Sequence, residues 1–278
     1  MNEILRVEGL TKNFTKKGLL QRKSHTITAV NNVTFSLEDD EILAIAGQSG
    51  SGKSTIAKLI LRAIEPDSGN IVFEGDIVTS NSSALRKLRM ECQMVYQDPY
   101  DSINPRMRIS DIISEPLEIH KIGTKESRHE MVLDALRQVK LEPVEDIAKK
   151  YPHMLSGGQR QRTVIARALV VKPRVIIADE PVSMLDVSIR AEILELMNEI
   201  HKKNKISFIY ITHDLATAKY FANRIIILYQ GKIVEIGNAN DVLTKPEHPY
   251  TRALIEAISE PDPENLYRDK KITWDVEN

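Results

Sequence analysis

Cysteine is almost absent from this chain, with Cys92 alone among 278 residues. A single cysteine excludes an intrachain disulfide and cannot by itself build a structural zinc or iron–sulfur site. Long apolar runs are also absent: no stretch of about 18 apolar residues occurs, so the sequence predicts no membrane-spanning helix. Residues 1–6 lack the basic and then apolar pattern of a signal peptide. We therefore expect a protein in a reducing compartment, either cytosolic or held at a membrane by a partner.

An excess of charge of one sign is missing as well. The 38 Lys and Arg residues and 39 Asp and Glu residues leave a formal net charge of -1, which argues against nucleic acid as a partner. Hydrophobic residues make up 42% of the chain and charged residues 28%, the proportions of an ordinary globular protein. The length suffices for one large domain or two small ones.

Residues 47–54 read Gly-Gln-Ser-Gly-Ser-Gly-Lys-Ser, which fits the phosphate-binding pattern G-x-x-x-x-G-K-[ST]. Glycines let the backbone curl so that successive N–H groups face an anion. Lys53 adds charge for the β- and γ-phosphates, and Ser54 offers a hydroxyl to Mg²⁺. An apolar strand at 41–46 and a helix at 55–64, stopped near Pro66, give the expected context. The predicted nucleotide-binding residues here are Gly47, Gln48, Ser49, Gly50, Ser51, Gly52, Lys53, Ser54 and Thr55.

The rest of the chain predicts an α/β protein. Short strands with turns at Gly9 and at Asn31–Asn32 precede the phosphate loop, and a helical pattern dominates residues 84–152. From about 157 to 236 helices and strands alternate, with strands at 175–178, 206–211 and 224–228 and helices at 159–171, 188–203 and from 215. This alternation predicts a parallel, doubly wound sheet with the site at the strand C-termini.

Two further motifs carry chemistry. Asp179 and Glu180 follow an apolar strand, where an Asp can hold Mg²⁺ and the next carboxylate can act as general base for water; the alternative is a surface acidic pair. Residues 155–159, Leu-Ser-Gly-Gly-Gln, place a good N-cap and two glycines before a helix. This is either a second anion site or a simple capped turn, and the residues alone do not say why one chain would need two anion sites.

The phosphate loop, residues 155–159, Ile-Ala-Asp-Glu at 177–180, Ser-Met-Leu-Asp at 183–186 and Thr-His-Asp at 212–214 occur in this order. Together they resemble the nucleotide-binding subunit of ABC transporters over about residues 3–240. The resemblance implies a P-loop NTPase fold, with a RecA-like parallel sheet core, an antiparallel β subdomain and a helical subdomain. Residues 1–245 would form the ATPase domain, the helical subdomain lying at about 90–155, and residues 246–278 a C-terminal extension.

The resemblance also implies roles for single residues. Two subunits would face each other head to tail, with ATP and Mg²⁺ between the phosphate loop of one and the signature, residues 155–159, of the other. Asp186 would communicate across that dimer, and Gln97 would also couple to the membrane partner. The implied sites are catalytic Glu180, His213 and Lys53; metal-binding Ser54, Gln97 and Asp179; Phe14 stacked on adenine; and, on the partner's nucleotide, Ser156, Gly157, Gly158 and Gln159.

Three segments indicate a subclass within the ABC transporter ATPases. They are residues 247–254 with 260–263, residues 96–106, and a basic insertion near 16–25. They resemble the ATPases of oligopeptide, dipeptide and nickel importers. The basic insertion is otherwise a solvated loop or a phosphate-steering patch. The resemblance implies a peripheral subunit on the cytoplasmic face of the membrane. Its partners would be a second, paralogous ATPase subunit, two permease subunits and, indirectly, an extracytoplasmic solute-binding protein.

Other functions remain open at this point. The cargo could be nickel or another small solute, and the ATPase motifs alone do not separate import from export. A soluble ABC ATPase acting on nucleic acid or ribosomes would carry long coiled-coil insertions or two cassettes, and neither is here. A third class is a kinase or GTPase with a phosphate loop. A GTPase would need an Asn-Lys-x-Asp stretch, but residues 204–207 read Asn-Lys-Ile-Ser, and a kinase would not need residues 155–159.

Overall fold

A computed structural model describes residues 3–16, 25–80 and 82–259. Most of the basic insertion and the segment 260–263 lie outside the described residues. The strands are β1 (Glu3–Lys16), β2 (His25–Glu38), β3 (Ile42–Ala46), β4 (Ser68–Phe73), β5 (Asp76–Ile77), β6 (Cys92–Val95), β7 (Val175–Asp179), β8 (Ser207–Thr212), β9 (Arg224–Tyr229) and β10 (Lys232–Asn238).

The helices are α1 (Lys53–Ile60), α2 (Ser83–Glu91), α3 (Ile109–Ile119), α4 (Lys125–Gln138), α5 (Val144–Lys149), α6 (Gly157–Leu169), α7 (Val187–Asn204), α8 (Leu215–Phe221), α9 (Ala239–Thr244) and α10 (Pro249–Ser259). A short 3₁₀ turn covers Pro152–Met154. Among the described residues, none of these helices is long and apolar enough to cross a bilayer.

Strands β3, β7 and β8 are buried along their whole length. Their apolar residues follow one another without alternation because both faces of such a strand are covered. The described strands form two sheets, one in the order β2-β1-β4-β5 and one in the order β10-β9-β3-β8-β7-β6. Strand β3 pairs with β9 in parallel and β6 pairs with β7 in parallel, whereas β10 is antiparallel to β9.

Two compact units divide the chain. Among the described residues, the first contains 3–4, 37–41 and 73–209, which include β6, β7 and helices α2 to α7. Its single cysteine, Cys92, is buried, and burial raises the pKa of the thiol. The second contains the described residues 5–16, 25–36, 42–72 and 210–259, which include β3, β9, β10, α1 and helices α8 to α10.

The turns predicted at Gly9 and Asn31–Asn32 are wrong, since β1 and β2 run through both positions. Gly9 and Asn32 do have positive φ, of 58° and 51°. Their amides are satisfied by threonine side chains, Gly9 N donating to Thr34 Oγ1 at 2.8 Å and Asn32 N to Thr11 Oγ1 at 3.0 Å. The turn-like residues therefore mark local irregularities inside continuous strands.

Helix α1 also differs from its prediction, because it begins at Lys53 and ends at Ile60 rather than covering 55–64. Arg62 has a positive φ of 50°, and its amide donates to the carbonyl of Leu59. A left-handed residue therefore stops the helix before Pro66 is reached. The other predicted helices agree with the structure to within a few residues, α6 and α7 among them.

Candidate functional site

The predicted phosphate loop joins β3 to α1 and approaches two backbone carbonyls so closely that no side chain fits. A Cβ on Gly47 would lie 2.2 Å from the carbonyl oxygen of Leu228, and a Cβ on Gly52 would lie 2.2 Å from that of Ala29. A Cβ on Gly50 would meet no atom within 4 Å, but its φ is 80°. Two of the glycines are therefore required by close packing and the third by its left-handed backbone.

A turn after β9 supports this loop. The amide of Gly231 donates to the carbonyl of Ser51 at 2.9 Å, and the amide of Asn31 donates to the carbonyl of Gly231 at 2.8 Å. Gly231 is thus bonded to the loop and to β2 at once. Hydrogen bonds within the protein therefore hold the loop backbone, as a site built from backbone N–H groups needs.

Lys53 is buried, with 5% of its surface exposed, and its ammonium lies on the loop itself. The Nζ atom donates to the carbonyl of Gly47 at 2.7 Å and to that of Gln48 at 2.9 Å. These carbonyls hold the charge beside the N-terminus of α1, where an anion is favoured. Of the other predicted residues, Gly47 and Ser51 are buried, Gln48, Gly52 and Thr55 are half-buried, and Ser49, Gly50 and Ser54 are exposed.

Phe14 lies on β1 with 42% of its surface exposed. The Lys12 ammonium lies 5.9 Å from the centre of its ring and bonds Asp67 at 2.9 Å. The pKa of the Asp67 carboxyl is lowered, chiefly by the hydrogen bond from Lys12. Phe14 therefore presents an open aromatic face beside a positive charge.

In the first unit, the predicted metal residue Gln97 contacts the predicted catalytic residue Glu180, which directly follows Asp179. Asp179 ends β7 with 7% of its surface exposed, and Glu180 follows in a left-handed conformation with φ of 47°. The side-chain amide of Gln97 donates to the Glu180 carboxylate, Nε2 to Oε2, at 3.1 Å. The Glu180 carbonyl accepts bonds from the Ser183 amide at 3.2 Å and hydroxyl at 3.0 Å. A strained backbone held in this way is typical of functional residues.

Residues 156–159 form a capping box at the start of α6. The Ser156 hydroxyl oxygen accepts from the Gln159 amide at 3.3 Å, and Gln159 Oε1 accepts from the Ser156 amide at 3.1 Å. Each of these two side chains satisfies the backbone N–H of the other residue. The amides of Gly157 and Gly158, the first two of the helix, lie between them. The box uses only the oxygen atoms of the two side chains, so the Ser156 O–H, the Gln159 Nε2–H and the two glycine N–H groups are all donors suited to an anion at this helix N-terminus.

The two glycines of this motif differ in packing, which gives a prediction. A Cβ on Gly158 would lie 2.9 Å from Ile189 Cγ2, on α7, whereas a Cβ on Gly157 would lie 3.7 Å from Leu185 Cδ2. Because a β-branched side chain adjusts poorly, we expect Gly158→Ala to lower the free energy of unfolding by about 1–2 kcal/mol. Gly157→Ala, the matched control, is expected to change it by less than about 0.5 kcal/mol.

Urea denaturation of both variants measures this difference. Ile189→Ala combined with Gly158→Ala is expected to cost less than the sum of the two single changes, because the added methyl group then fills the space of the removed side chain. Equal losses for Gly157→Ala and Gly158→Ala would rule out the contact with Ile189 as the cause.

His213 is exposed and directly follows β8. Its neighbours fix the chain: the Asp214 amide donates to Thr212 Oγ1 at 3.0 Å, and the Asp214 carboxylate accepts from the amides of Ala216 and Thr217 at the start of α8. The histidine thus lies between a strand end and a helix cap. Asp186 is exposed at the N-cap position of α7.

Sequence reasoning missed two residues that contact these segments. Arg190 donates to the carbonyls of Leu185 at 2.7 Å and Ser183 at 3.2 Å, so it fixes the segment after Glu180. Tyr250, in α10, accepts a hydrogen bond from the amide of Gln48 in the phosphate loop. In the sequence, Tyr250 stood out only as a member of the importer-like segment 247–254. No local pattern predicts its contact with Gln48, which lies 202 positions away in the chain.

Comparison with known proteins places these motifs in a family. Residues 30–183 match the family model described as ABC transporter, and residues 234–278 match that described as oligopeptide/dipeptide transporter, C-terminal region. The oligopeptide transport ATP-binding protein OppF of Streptococcus mutans is 42% identical over 263 residues, which cover 94% of this chain and 83% of that protein. The glutathione import ATP-binding protein GsiA of Pectobacterium atrosepticum is 42% identical over 98% of this chain and 44% of its own length.

A solved structure agrees with these relatives. A dimeric ATP-binding cassette in a post-hydrolysis state, bound to ADP and phosphate, is 29% identical, with a TM-score of 0.73 over 85% of this chain and 99% of that one. The likeness confirms the expected ABC ATPase fold, and the match over residues 30–183 confirms the resemblance read from the motifs. The chain therefore belongs to the ABC transporter family, as one of its ATP-binding and ATP-hydrolysing members.

Proposed function

We propose that this chain is the ATP-hydrolysing subunit of an importer for oligopeptides or dipeptides. The observation that carries the proposal is that one chain matches both the ABC transporter model and the C-terminal region of oligopeptide/dipeptide transporters. The OppF relative is similar across both regions, over 94% of this chain. The proposal divides the chain into an ATPase domain at 1–245, with a helical subdomain at about 90–155, and an extension at 246–278.

In this proposal the phosphate loop binds the triphosphate of ATP. Glycine at positions 47 and 52 lets the loop backbone pass close to neighbouring carbonyls, and the N–H groups of that backbone are proposed to receive the phosphates. Lys53 leaves the carbonyls of Gly47 and Gln48 and donates to the β- and γ-phosphates, exchanging neutral acceptors for charged ones. Phe14 stacks its exposed ring on the adenine.

Magnesium fits the donor chemistry of three predicted residues. The Ser54 hydroxyl, the Gln97 side-chain oxygen and the Asp179 carboxylate are hard oxygen donors of the kind that Mg²⁺ prefers. The side-chain nitrogen of Gln97 donates to Glu180, so the side-chain oxygen of Gln97 is the atom proposed to bind the metal. When bound, Mg²⁺ neutralises charge on the phosphates and so favours attack by water.

Glu180 is proposed as the general base for that water. Its carboxylate already accepts a hydrogen bond from Gln97 Nε2, which orients it, and its backbone is fixed by Ser183. His213, held between β8 and α8, is proposed to contact the γ-phosphate, where its imidazole donates a hydrogen bond as charge develops. Catalysis then consists of positioning and charge stabilisation, as in other phosphoryl-transfer enzymes.

The signature is proposed to act on a nucleotide held by a second ATPase subunit. The capping box uses only the oxygen atoms of the Ser156 and Gln159 side chains, which leaves the Ser156 O–H, the Gln159 Nε2–H and the amides of Gly157 and Gly158 as donors for that task. The cassette bound to ADP and phosphate is dimeric, which supports paired subunits. Asp186 is exposed at the head of α7 and is proposed to contact that second subunit.

The remaining partners are proposed from the family. The ATPase subunit would lie at the cytoplasmic face of the membrane, together with a paralogous ATPase, two permease subunits and, indirectly, a solute-binding protein. The exposed side chains of Tyr96 and Tyr100 flank Gln97 and Asp98, and this segment is the proposed contact with the permease. Because Gln97 also touches Glu180, a shift of the segment would be transmitted to the proposed base.

Peptide uptake tests this function. Cells in which other peptide importers are deleted and the chain carries Glu180→Gln are expected to lose uptake of labelled di- to pentapeptides. Glu199→Gln, which disturbs only an exposed ion pair with Lys140, is expected to keep it. Normal peptide uptake in the Glu180→Gln strain, with loss of labelled nickel uptake instead, would contradict the peptide assignment and support the metal cargo.

A further inference from the structure

One peptide group in the phosphate loop is hydrogen-bonded on both edges. The carbonyl of Gly47 accepts from Lys53 Nζ at 2.7 Å. The amide of Gln48, on the other side of the same peptide bond, donates to the hydroxyl oxygen of Tyr250 at 3.3 Å. A peptide group is rigid and planar, and in the trans form its C=O and N–H point in opposite directions. The direction of the Gly47 carbonyl is therefore tied to the bond that the Gln48 amide makes.

Tyr250 is held firmly in its place. It has no exposed surface, and its ring packs on Tyr229 with 4.3 Å between the ring centres. Its own amide donates to His248 Nδ1 at 3.1 Å, which caps the first turn of α10. Burial is the main cause that raises the pKa of the Tyr250 hydroxyl, so the group stays a neutral phenol at physiological pH. It can therefore accept the loop amide without placing a negative charge beside the phosphates.

The segment before α10 is anchored as well. The Glu235 carboxylate, on β10, accepts from the amide of Glu247 at 2.9 Å and from that of His248 at 3.1 Å. Arg252 donates to the carbonyls of Pro246 at 3.1 Å and Glu247 at 2.8 Å. All these residues lie within the region that matches the oligopeptide/dipeptide C-terminal model, 234–278. A series of hydrogen bonds thus connects β10, through the segment before α10 and Tyr250, to the phosphate loop.

We propose that Tyr250 is a positioning residue for Lys53, acting through the Gly47–Gln48 peptide group. In the structure the Tyr250 hydroxyl fixes the plane of the Gly47–Gln48 peptide group, whose carbonyl accepts a hydrogen bond from Lys53. When Lys53 moves to the phosphates it gives up that carbonyl, and the bond to Tyr250 then keeps the plane from turning and the loop from rearranging. Through Tyr250 the C-terminal region would therefore contribute to nucleotide affinity. This inference rests on the proposed role of Lys53 in binding ATP.

Tyr250→Phe tests the inference, because it removes the hydroxyl and keeps the ring that packs on Tyr229. Binding of mant-ATP with Mg²⁺ to the full chain is expected to weaken about three- to tenfold, the effect of losing one neutral hydrogen bond. Tyr229→Phe is the matched control: its hydroxyl accepts from the side chain of Gln230, and the affinity is expected to stay within about twofold. The melting temperatures of both variants show whether either has lost its fold.

A double-mutant cycle separates positioning from packing. In a Lys53→Arg background, Tyr250→Phe is expected to have a smaller effect on mant-ATP affinity than in the wild type, because the two residues act through one peptide group. Wild-type affinity in Tyr250→Phe, equal losses in both phenylalanine variants, or additive effects in the cycle would each overturn the inference. Failure of the wild-type chain to bind mant-ATP would instead remove the proposed function, and the inference with it.

Discussion

Glu180→Gln is expected to lower phosphate release from ATP at least about 100-fold while MgATP affinity stays within about twofold. A general base contributes roughly 10²- to 10⁴-fold to such a reaction, and an amide cannot accept the proton of the attacking water. The substitution keeps the size of the side chain and an oxygen that can still accept from Gln97 Nε2. Binding by the phosphate loop, which lies elsewhere in the chain, is therefore retained, and the ATP-bound form is expected to accumulate as a closed dimer.

Phosphate release and mant-ATP binding measure the two effects, and size-exclusion chromatography with ATP detects the dimer. Glu199→Gln provides the control, since Glu199 is half-exposed and pairs with Lys140 on the surface; it is expected to change neither quantity. Turnover at the wild-type rate in Glu180→Gln would remove Glu180 as the base. A decrease in affinity equal to the decrease in turnover would instead assign Glu180 to binding.

Lys53→Ala is expected to weaken MgATP binding by about 100-fold. The ammonium is the only side-chain cation that the loop pattern itself supplies, and one charge-assisted bond to phosphate is worth roughly 1.5–3 kcal/mol. The substitution also removes the two bonds that Lys53 makes to the carbonyls of Gly47 and Gln48. We therefore expect some loss of thermal stability in the nucleotide-free protein, together with the loss of binding.

Lys58→Ala on the same helix is the matched control. Lys58 is exposed in the last turn of α1, so its removal changes the net charge equally without touching the loop. Isothermal titration calorimetry with MgATP compares the two variants at the same ionic strength. Equal losses of affinity would mean that long-range charge, rather than the position of Lys53, determines binding.

The elements that position the site could be predicted because their signal is local. Strands β3, β7 and β8 read as unbroken apolar runs, as strands buried on both faces do. Residue spacing alone predicts the loop glycines and the Ser156 cap, because backbone curvature and helix capping depend on a few consecutive residues. The structure adds why Gly52 is required, through the nearby carbonyl of Ala29.

The features that sequence reasoning missed depend on distant residues. Gly9 and Asn32 look like turn residues, but threonine hydroxyls on the opposite strand satisfy their amides and keep both strands continuous. Similarly, the bond from Gln48 to Tyr250 joins the loop to a helix near the far end of the chain. Such contacts follow from tertiary packing, which overrides local propensity and leaves no periodic trace.

The most direct test of the central claim is to measure MgATP binding and phosphate release on one preparation of each of three full-length chains: wild type, Glu180→Gln and Lys53→Ala. The claim is that the phosphate loop binds ATP and that Glu180 activates the water that cleaves it. It predicts binding with turnover in the wild type, near wild-type binding with turnover lowered at least about 100-fold in Glu180→Gln, and binding weakened about 100-fold in Lys53→Ala. Undiminished turnover in Glu180→Gln, or wild-type affinity in Lys53→Ala, would contradict it.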